Sequence, residues 1–193
     1  MTLQILKERI QAEGRNLGNG ILKIDSILNH QIDPDLMVAM GKRLGEYFKD
    51  SNVDRILTAE ISGIAPALVA GIELGAPVVY ARKKRPITMA GTIYLETAPS
   101  HTKGGEVELM VSGEFLKPNE NVLIIDDFLA SGETLKALAR LVIAANAELV
   151  GVGVVVEKSF ENGRDTMRKS GFDVPIYALA TITSMDDGKI ELA

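Results

Sequence analysis

The feature that most constrains the fold is an unbroken apolar run at 122–125, which leads directly into two neighbouring carboxylates, Asp126 and Asp127. The run is rich in β-branched residues, which predicts a strand buried on both faces in the middle of a parallel sheet. A turn of small residues at 130–132 follows, and apolar residues then recur at helical spacing as far as Val142. We therefore predict a strand that ends at the acid pair, then a tight turn and a helix.

This unit has the chemistry of a sugar phosphate site. Carboxylates at the carboxyl end of a central strand lie where open α/β sheets bind ligands, and they accept hydrogen bonds from ribose hydroxyls. The N–H groups of the turn and the positive end of the following helix suit a 5′-phosphate, and Ser131 and Thr134 add hydroxyl donors. The alternative is an ordinary strand–helix turn capped by Asp. Two consecutive acids before a small-residue turn favour the binding site.

Strand and helix patterns alternate along the rest of the chain. Asp33-Pro34 predicts a helix start, and the helix runs to about Phe48. Further strands are predicted at 55–59, 77–81, 150–156 and 174–182, with a two-stranded ribbon at 92–98 and 106–111. This order predicts an α/β fold with helices on both faces of a mostly parallel sheet. We expect one domain over 1–193, with a core at about 34–174 and a small hood from about 1–33 and 175–193.

Composition excludes several classes of protein. Acidic residues outnumber basic ones 26 to 21, so nothing indicates a nucleic-acid partner. Without cysteine the chain forms no disulfide and no thiolate metal site, which fits a cytoplasmic location. The apolar runs fall short of the roughly 18 residues of a membrane span, and the N-terminus does not have the pattern of a signal peptide. His30 and His101, the two histidines, have no partner at metal-ligand spacing, so we expect no protein metal site.

A second anion site is predicted where residues 60–63 follow the strand at 55–59. There a Ser-Gly turn precedes a helix that Ala65-Pro66 is expected to begin, although a plain strand–helix turn is an open alternative. The basic run at 82–85 is either a solvated loop or a source of positive charge for a polyanionic ligand. The glycine-containing segment at about 84–105 is expected to be a flexible loop that closes over the ligand.

The acid pair and its turn resemble the motif that binds 5-phosphoribosyl 1-pyrophosphate (PRPP) in type I phosphoribosyltransferases. In that motif four apolar residues, two acids and two variable residues precede Ala-Ser-Gly. The resemblance implies that Asp126 and Asp127 are catalytic, that Mg²⁺ arrives bound to PRPP, and that the chain forms a homodimer. It implies phosphate binding by Ala130, Ser131, Gly132, Glu133 and Thr134. It implies pyrophosphate binding by Glu60, Ile61, Ser62 and Gly63, and by Arg82 and Lys83 across the dimer.

Segments along the whole chain are similar to bacterial xanthine phosphoribosyltransferases, notably those at 22–34, 62–66, 81–83, 123–130 and 157–160. This similarity implies that Leu22, Asn29 and Lys158 contact xanthine. From its chemistry alone, Lys158 suits the carbonyl oxygen of a 6-oxopurine, but lysine at a strand end is commonly just a surface residue. Phe160 either stacks on the base or packs. The implied reaction converts xanthine and PRPP to xanthosine 5′-monophosphate and pyrophosphate.

Three alternatives remain open from the sequence. In the first alternative, hypoxanthine or guanine is the main base that accepts the phosphoribosyl group. The second is a transcription regulator that senses PRPP without catalysis, although the acidic charge and the absence of spare length argue against it. The third is a module that binds PRPP without releasing pyrophosphate.

Overall fold

Strands and helices alternate along most of the chain, as predicted. The computed structural model describes residues 2–99 and 105–193. The helices are Thr2–Glu13 (α1), Pro34–Phe48 (α2), Ile64–Leu74 (α3), Glu133–Ala144 (α4) and Gly163–Lys169 (α5). The strands are Arg15–Asn16 (β1), Leu22–Lys23 (β2), Arg55–Ala59 (β3), Val78–Ala81 (β4), Ile93–Pro99 (β5), Glu106–Ser112 (β6), Asn121–Leu129 (β7), Glu148–Lys158 (β8), Ile176–Ser184 (β9) and Glu191–Leu192 (β10). Among the described residues, no helix is both long and apolar enough to cross a membrane.

A six-stranded sheet in the order β10-β9-β8-β7-β3-β4 forms the centre of the fold. Every neighbouring pair is parallel except β9 and β10, which are antiparallel at one edge. The α/β class and the mostly parallel sheet are thus confirmed. Because parallel strands end on the same side, the loops after β3, β7 and β8 meet at one edge of the sheet.

The strand β7 is buried on both faces, as its unbroken apolar run predicts. Val122 and Ile124 pack into the core on the side of α4 and α5. Leu123 and Ile125 pack on the side of α1, α2 and α3. All four are fully buried, so helices do cover both faces.

The prediction that the acid pair ends this strand was wrong. The strand β7 continues through Asp126 and Asp127 to Leu129. The cause is the long neighbouring strand β8, whose register continues past the acids and pairs Phe128 with Val156. Apolar side chains follow the acids, so the ladder stays intact for two more residues.

Local signals explain the helix boundaries around the core. The side chain of Asp33 accepts a hydrogen bond from the backbone N–H of Leu36 at 3.1 Å, so the predicted cap of α2 is confirmed. The helix α3 begins at Ile64, one residue earlier than expected, because the chain is already helical at Gly63.

The predicted ribbon forms as β5 and β6, which pair antiparallel from Ile93 with Ser112 to Pro99 with Glu106. Seven residues of the segment expected to be a flexible loop, 84–105, therefore form β5. Residues 100–104 of that segment, including His101, lie outside the described part of the chain.

The two ends of the chain contact each other. Asn16 Nδ2 donates to the carbonyl oxygen of Met185 at 2.5 Å, and the Lys7 ammonium donates to the carbonyl oxygen of Ala193. The short strands β1 and β2 pair antiparallel, which places Leu22 beside this junction.

Candidate functional site

Two adjoining cavities open at the carboxyl edge of the sheet. The first, of about 200 Å³, lies between the loops after β3 and β7, and is called the phosphate cavity below. The second, of about 450 Å³, lies between β7, β8 and the N-terminal segment, and is called the base cavity. Asp127, Phe128 and Ala130 line both, so the two cavities share a wall.

The acid pair lies in the floor of the phosphate cavity. Asp126 is 4% exposed. Burial, and then the charge of Asp127, raise the pKa of Asp126 well above its usual value, while the charge of Lys83 opposes this rise. Burial also raises the pKa of Asp127, against the hydrogen bond from Asn29.

Both carboxylate oxygens of Asp127 have partners. Oδ1 accepts from the backbone N–H of Phe128 at 3.0 Å, and Oδ2 accepts from Asn29 Nδ2, also at 3.0 Å. Asn29 Nδ2 lies a further 3.1 Å from Ser62 Oγ. Asn29 thereby joins the N-terminal segment to the acid pair and to the loop after β3.

The turn after β7 exposes backbone to the phosphate cavity. Ala130, Gly132 and Thr134 line it, and α4 begins at Glu133, directly behind the turn. Gly132 has a φ of +84°, and a Cβ there would lie 2.7 Å from the carbonyl oxygen of Gly163. The turn therefore requires glycine for its conformation and for its contact with α5.

Glu133 and Ser131, the other two predicted residues of the turn, do not line the phosphate cavity. Glu133 pairs with Lys136 at 2.5 Å, so its carboxylate is engaged within α4. Ser131 lies between Ala130 and Gly132 in the turn but is not among the residues that line the cavity.

The loop after β3 forms the opposite wall. Glu60, Ile61, Ser62 and Gly63 all line the phosphate cavity, and the peptide bond between Glu60 and Ile61 is cis. A side chain at Gly63 would collide with the hydroxyl of Thr58 and with Asp126 Oδ1. This absence of a side chain lets the start of α3 approach the acid pair, so the positive end of the helix lies beside the cavity.

The basic loop contributes through Lys83 and Glu60. Lys83 lines the phosphate cavity, and its backbone N–H donates to Glu60 Oε1 at 2.7 Å. Arg82 Nε lies 2.8 Å from Glu60 Oε2, and its guanidinium lies 5.7 Å from the ring centroid of Tyr80. Arg82 is therefore paired behind Glu60, whereas Lys83 adjoins the cavity.

The base cavity brings together Leu22, Asn29 and Lys158, the three residues assigned to one ligand by resemblance. Lys158 Nζ donates to the carbonyl oxygen of Gly20 at 2.8 Å and lies 5.9 Å from the ring centroid of Phe128. Its side chain is only 12% exposed, so Lys158 is not an ordinary surface lysine. Phe160 is not among the residues that line this cavity.

Glu161 and Thr58 are among the residues at the site that were missed in the sequence. Glu161 lines the base cavity and pairs with Lys158 at 2.5 Å, and the spacing of three residues was the available signal. Thr58 is fully buried on β3 beside Gly63, and its hydroxyl has no hydrogen-bond partner within 2–99 and 105–193. Nothing in the sequence distinguishes Thr58 from a packed strand residue.

Among the described residues, no group of three or more His, Asp or Glu side chains is arranged to hold a metal ion. The phosphate cavity instead offers the carboxylates of Asp126 and Asp127, with Glu60 drawn towards Arg82. Such a donor set fits Mg²⁺ that is carried largely by substrate phosphates, because that ion commonly takes only one or two carboxylates from a protein.

Comparison with known proteins agrees with this geometry. A family model described as phosphoribosyl transferase domain matches residues 27–178. A xanthine phosphoribosyltransferase of Deinococcus deserti is 48% identical over 96% of this chain and 95% of its own length. One from Listeria innocua is 44% identical over 97% of each chain. In fold, the chain is similar to an adenine phosphoribosyltransferase of Giardia lamblia complexed with 9-deazaadenine, with a TM-score of 0.77, 21% identity, and coverage of 95% and 99%.

Proposed function

Since this chain belongs to the phosphoribosyltransferase family, we propose that it converts xanthine and PRPP to xanthosine 5′-monophosphate and pyrophosphate. Curated relatives that match nearly its whole length carry this activity in their names. The observation that carries the proposal is the shared wall at Asp127, which joins a cavity for a phosphorylated sugar to a cavity for a heterocycle.

The phosphate cavity would bind both the 5′-phosphate and the pyrophosphate of PRPP. Residues 130–134 take the 5′-phosphate through turn N–H groups and the hydroxyls of Ser131 and Thr134, with Glu133 bracing the start of α4. The loop 60–63 and Lys83 take the pyrophosphate. The support is that Ala130, Gly132 and Thr134 line the same cavity as the loop 60–63, and that each segment lies at the start of a helix.

The acid pair would anchor the ribose and act on the developing charge. Their oxygens accept the ribose hydroxyls, and their negative charge favours the cationic sugar that forms as the bond from C1 to pyrophosphate breaks. An imidazole nitrogen of xanthine then bonds to C1, and Asp127 accepts its proton. The raised pKa of Asp127 suits a proton acceptor, and its place between the cavities puts it beside both reactants.

Mg²⁺ bound with PRPP would supply positive charge to the departing pyrophosphate, and the carboxylates of Asp126 and Asp127 line the same cavity. Lys83 adds a protein cation on the same side. The chain itself contributes alignment, because both substrates must approach within reacting distance while water is excluded.

Three features of organisation belong to the proposal. The segments 1–33 and 175–193 form a hood on a single domain, supported by the contact of Asn16 with Met185. The segment 84–105 closes over PRPP, which predicts that PRPP protects it from proteolysis. The enzyme is a cytoplasmic homodimer in which Arg82 acts across the interface, while Lys83 serves the cavity of its own subunit. The exposed apolar side chains Leu68 and Ile72 on α3 support an interface.

A turnover assay tests the function directly. Purified protein with Mg²⁺ and PRPP is given xanthine, hypoxanthine, guanine or adenine, and pyrophosphate release is followed. We expect the highest kcat/KM with xanthine. A higher kcat/KM with hypoxanthine or guanine would show that this base, and not xanthine, is the main substrate. PRPP binding without turnover of any base would refute the proposal that the protein is an enzyme. Light scattering on the same sample tests the proposed dimer.

A further inference from the structure

Glu161 occupies a position in the base cavity that none of the sequence motifs assigns. It ends the 3₁₀ turn Ser159–Glu161, which directly follows β8. Its Oε1 atom lies 2.5 Å from Lys158 Nζ, and the two side chains are only 23% and 12% exposed. Both residues line the cavity, so the ion pair is part of the wall that a base would contact.

The ion pair places a hydrogen-bond donor beside an acceptor. The Lys158 ammonium has three N–H groups, of which the Gly20 carbonyl and Glu161 take two, leaving one for a ligand. The Glu161 carboxylate has about four lone-pair sites. Lys158 occupies one of them, and no described residue hydrogen-bonds to Oε2.

The other carboxylates of this cavity have different surroundings. Asp25 Oδ2 lies 3.3 Å from Lys23 Nζ. Both oxygens of Asp127 accept hydrogen bonds within the protein. Glu161 is thus the carboxylate of this cavity whose lysine partner also lines the cavity.

We propose that Glu161 is a specificity-determining residue that accepts the N1–H of a 6-oxopurine while Lys158 donates to the neighbouring C6 carbonyl oxygen. This role rests on the proposed function and deepens it. The adjacent carbonyl and N–H of the base match the adjacent donor and acceptor of the wall. Adenine presents the opposite pattern, an amino donor at C6 and a bare acceptor at N1, so it matches neither the remaining donor of Lys158 nor Oε2 of Glu161.

The test compares xanthine with 1-methylxanthine, which keeps the C6 carbonyl but lacks the N1–H. We measure kcat/KM for both bases in wild type and in Glu161→Ala. A hydrogen bond to a charged group contributes about 1.5–3 kcal/mol, or roughly 10–150-fold. The preference of wild type for xanthine over 1-methylxanthine should therefore fall at least about 10-fold in the variant.

A role limited to holding Lys158 predicts a different result. Both bases would then lose the same factor in Glu161→Ala, the ratio would stay constant, and the proposal would be overturned. Glu161→Gln keeps the size and one acceptor oxygen, so it should lower the ratio less than alanine does. Glu46→Ala, which removes an ion pair of the same spacing with Arg43, is the matched control and should leave the ratio unchanged. Wild type that turns over no oxopurine would refute the proposed function itself, which separates the two failures.

Discussion

Asn29 Nδ2 lies 3.0 Å from Asp127 Oδ2, although 98 residues separate them in the chain. The same nitrogen lies 3.1 Å from Ser62 Oγ. One amide thus connects the N-terminal segment, the acid pair and the loop after β3. A base that engages Asn29 changes the surroundings of the carboxylate on which the ribose depends.

Asn29→Ala should raise the KM for xanthine by about 10- to 100-fold, because the base loses a polar partner in a confined cavity. The KM for PRPP should change less, since the phosphate-binding segments stay in place. Steady-state kinetics with each substrate varied in turn measures both. Gln31→Ala, at an exposed neighbouring position, is the control. Equal effects on the two KM values would contradict a specific role towards the base.

Asp126→Asn and Asp127→Asn should each lower kcat by about 10²- to 10³-fold, the cost of removing a group that stabilises charge in a transition state. Asparagine keeps the size of the side chain, so the loss reports charge and hydrogen bonding. Rapid-quench or coupled pyrophosphate assays measure it. Asp50→Asn, on the exposed turn after α2, should behave as wild type. A double variant with the kcat of wild type would show that the acid pair has no role in the mechanism.

The acid pair should also make stability depend on pH. Burial raises the pKa of both carboxyls above the value of about 3.9 expected in the unfolded chain. Between the unfolded and folded pKa values the native state binds more protons, so the free energy of unfolding contributed by these groups falls as pH rises.

Asp126→Asn should therefore melt above wild type near neutral pH by at least about 2–4 °C, the shift that 1 kcal/mol produces in a chain of this size. The difference should shrink as the pH falls through about 4 towards 3, where the wild-type carboxyl becomes protonated in the unfolded state as well. Thermal melts across this range test it. A constant difference at every pH would argue against a raised pKa.

Gly132→Ala should destabilise the protein by about 1–3 kcal/mol and raise the KM for PRPP, because the residue combines positive φ with a close backbone neighbour. Gly171→Ala is the matched control, since Gly171 has a φ of +89° but nothing within 4 Å of its Cβ position. Denaturant unfolding of both variants separates backbone strain from collision. Equal losses would mean that the contact with Gly163 contributes nothing.

Elements with strong local signals were predicted well. The buried run of β7, the Asp33 cap and the two segments of the ribbon depend on neighbouring residues in sequence. The end of β7 was missed because it depends on the register of β8, which no local pattern encodes. Most of the predicted site residues line one of the two cavities, whereas Ser131, Glu133 and Arg82 do not. The partners of these residues could not be predicted from the sequence. Arg82 meets Glu60, and Asn29 meets Asp127, only because the fold brings distant loops to one edge of the sheet.

The wall at Asp127, Phe128 and Ala130 also has a consequence for inhibitor chemistry. Because the phosphate cavity and the base cavity adjoin at this wall, a single small molecule can occupy both cavities at once. Tethering a heterocycle to a phosphonate across that wall makes the second contact intramolecular, so modest affinities for each half combine into a tight ligand.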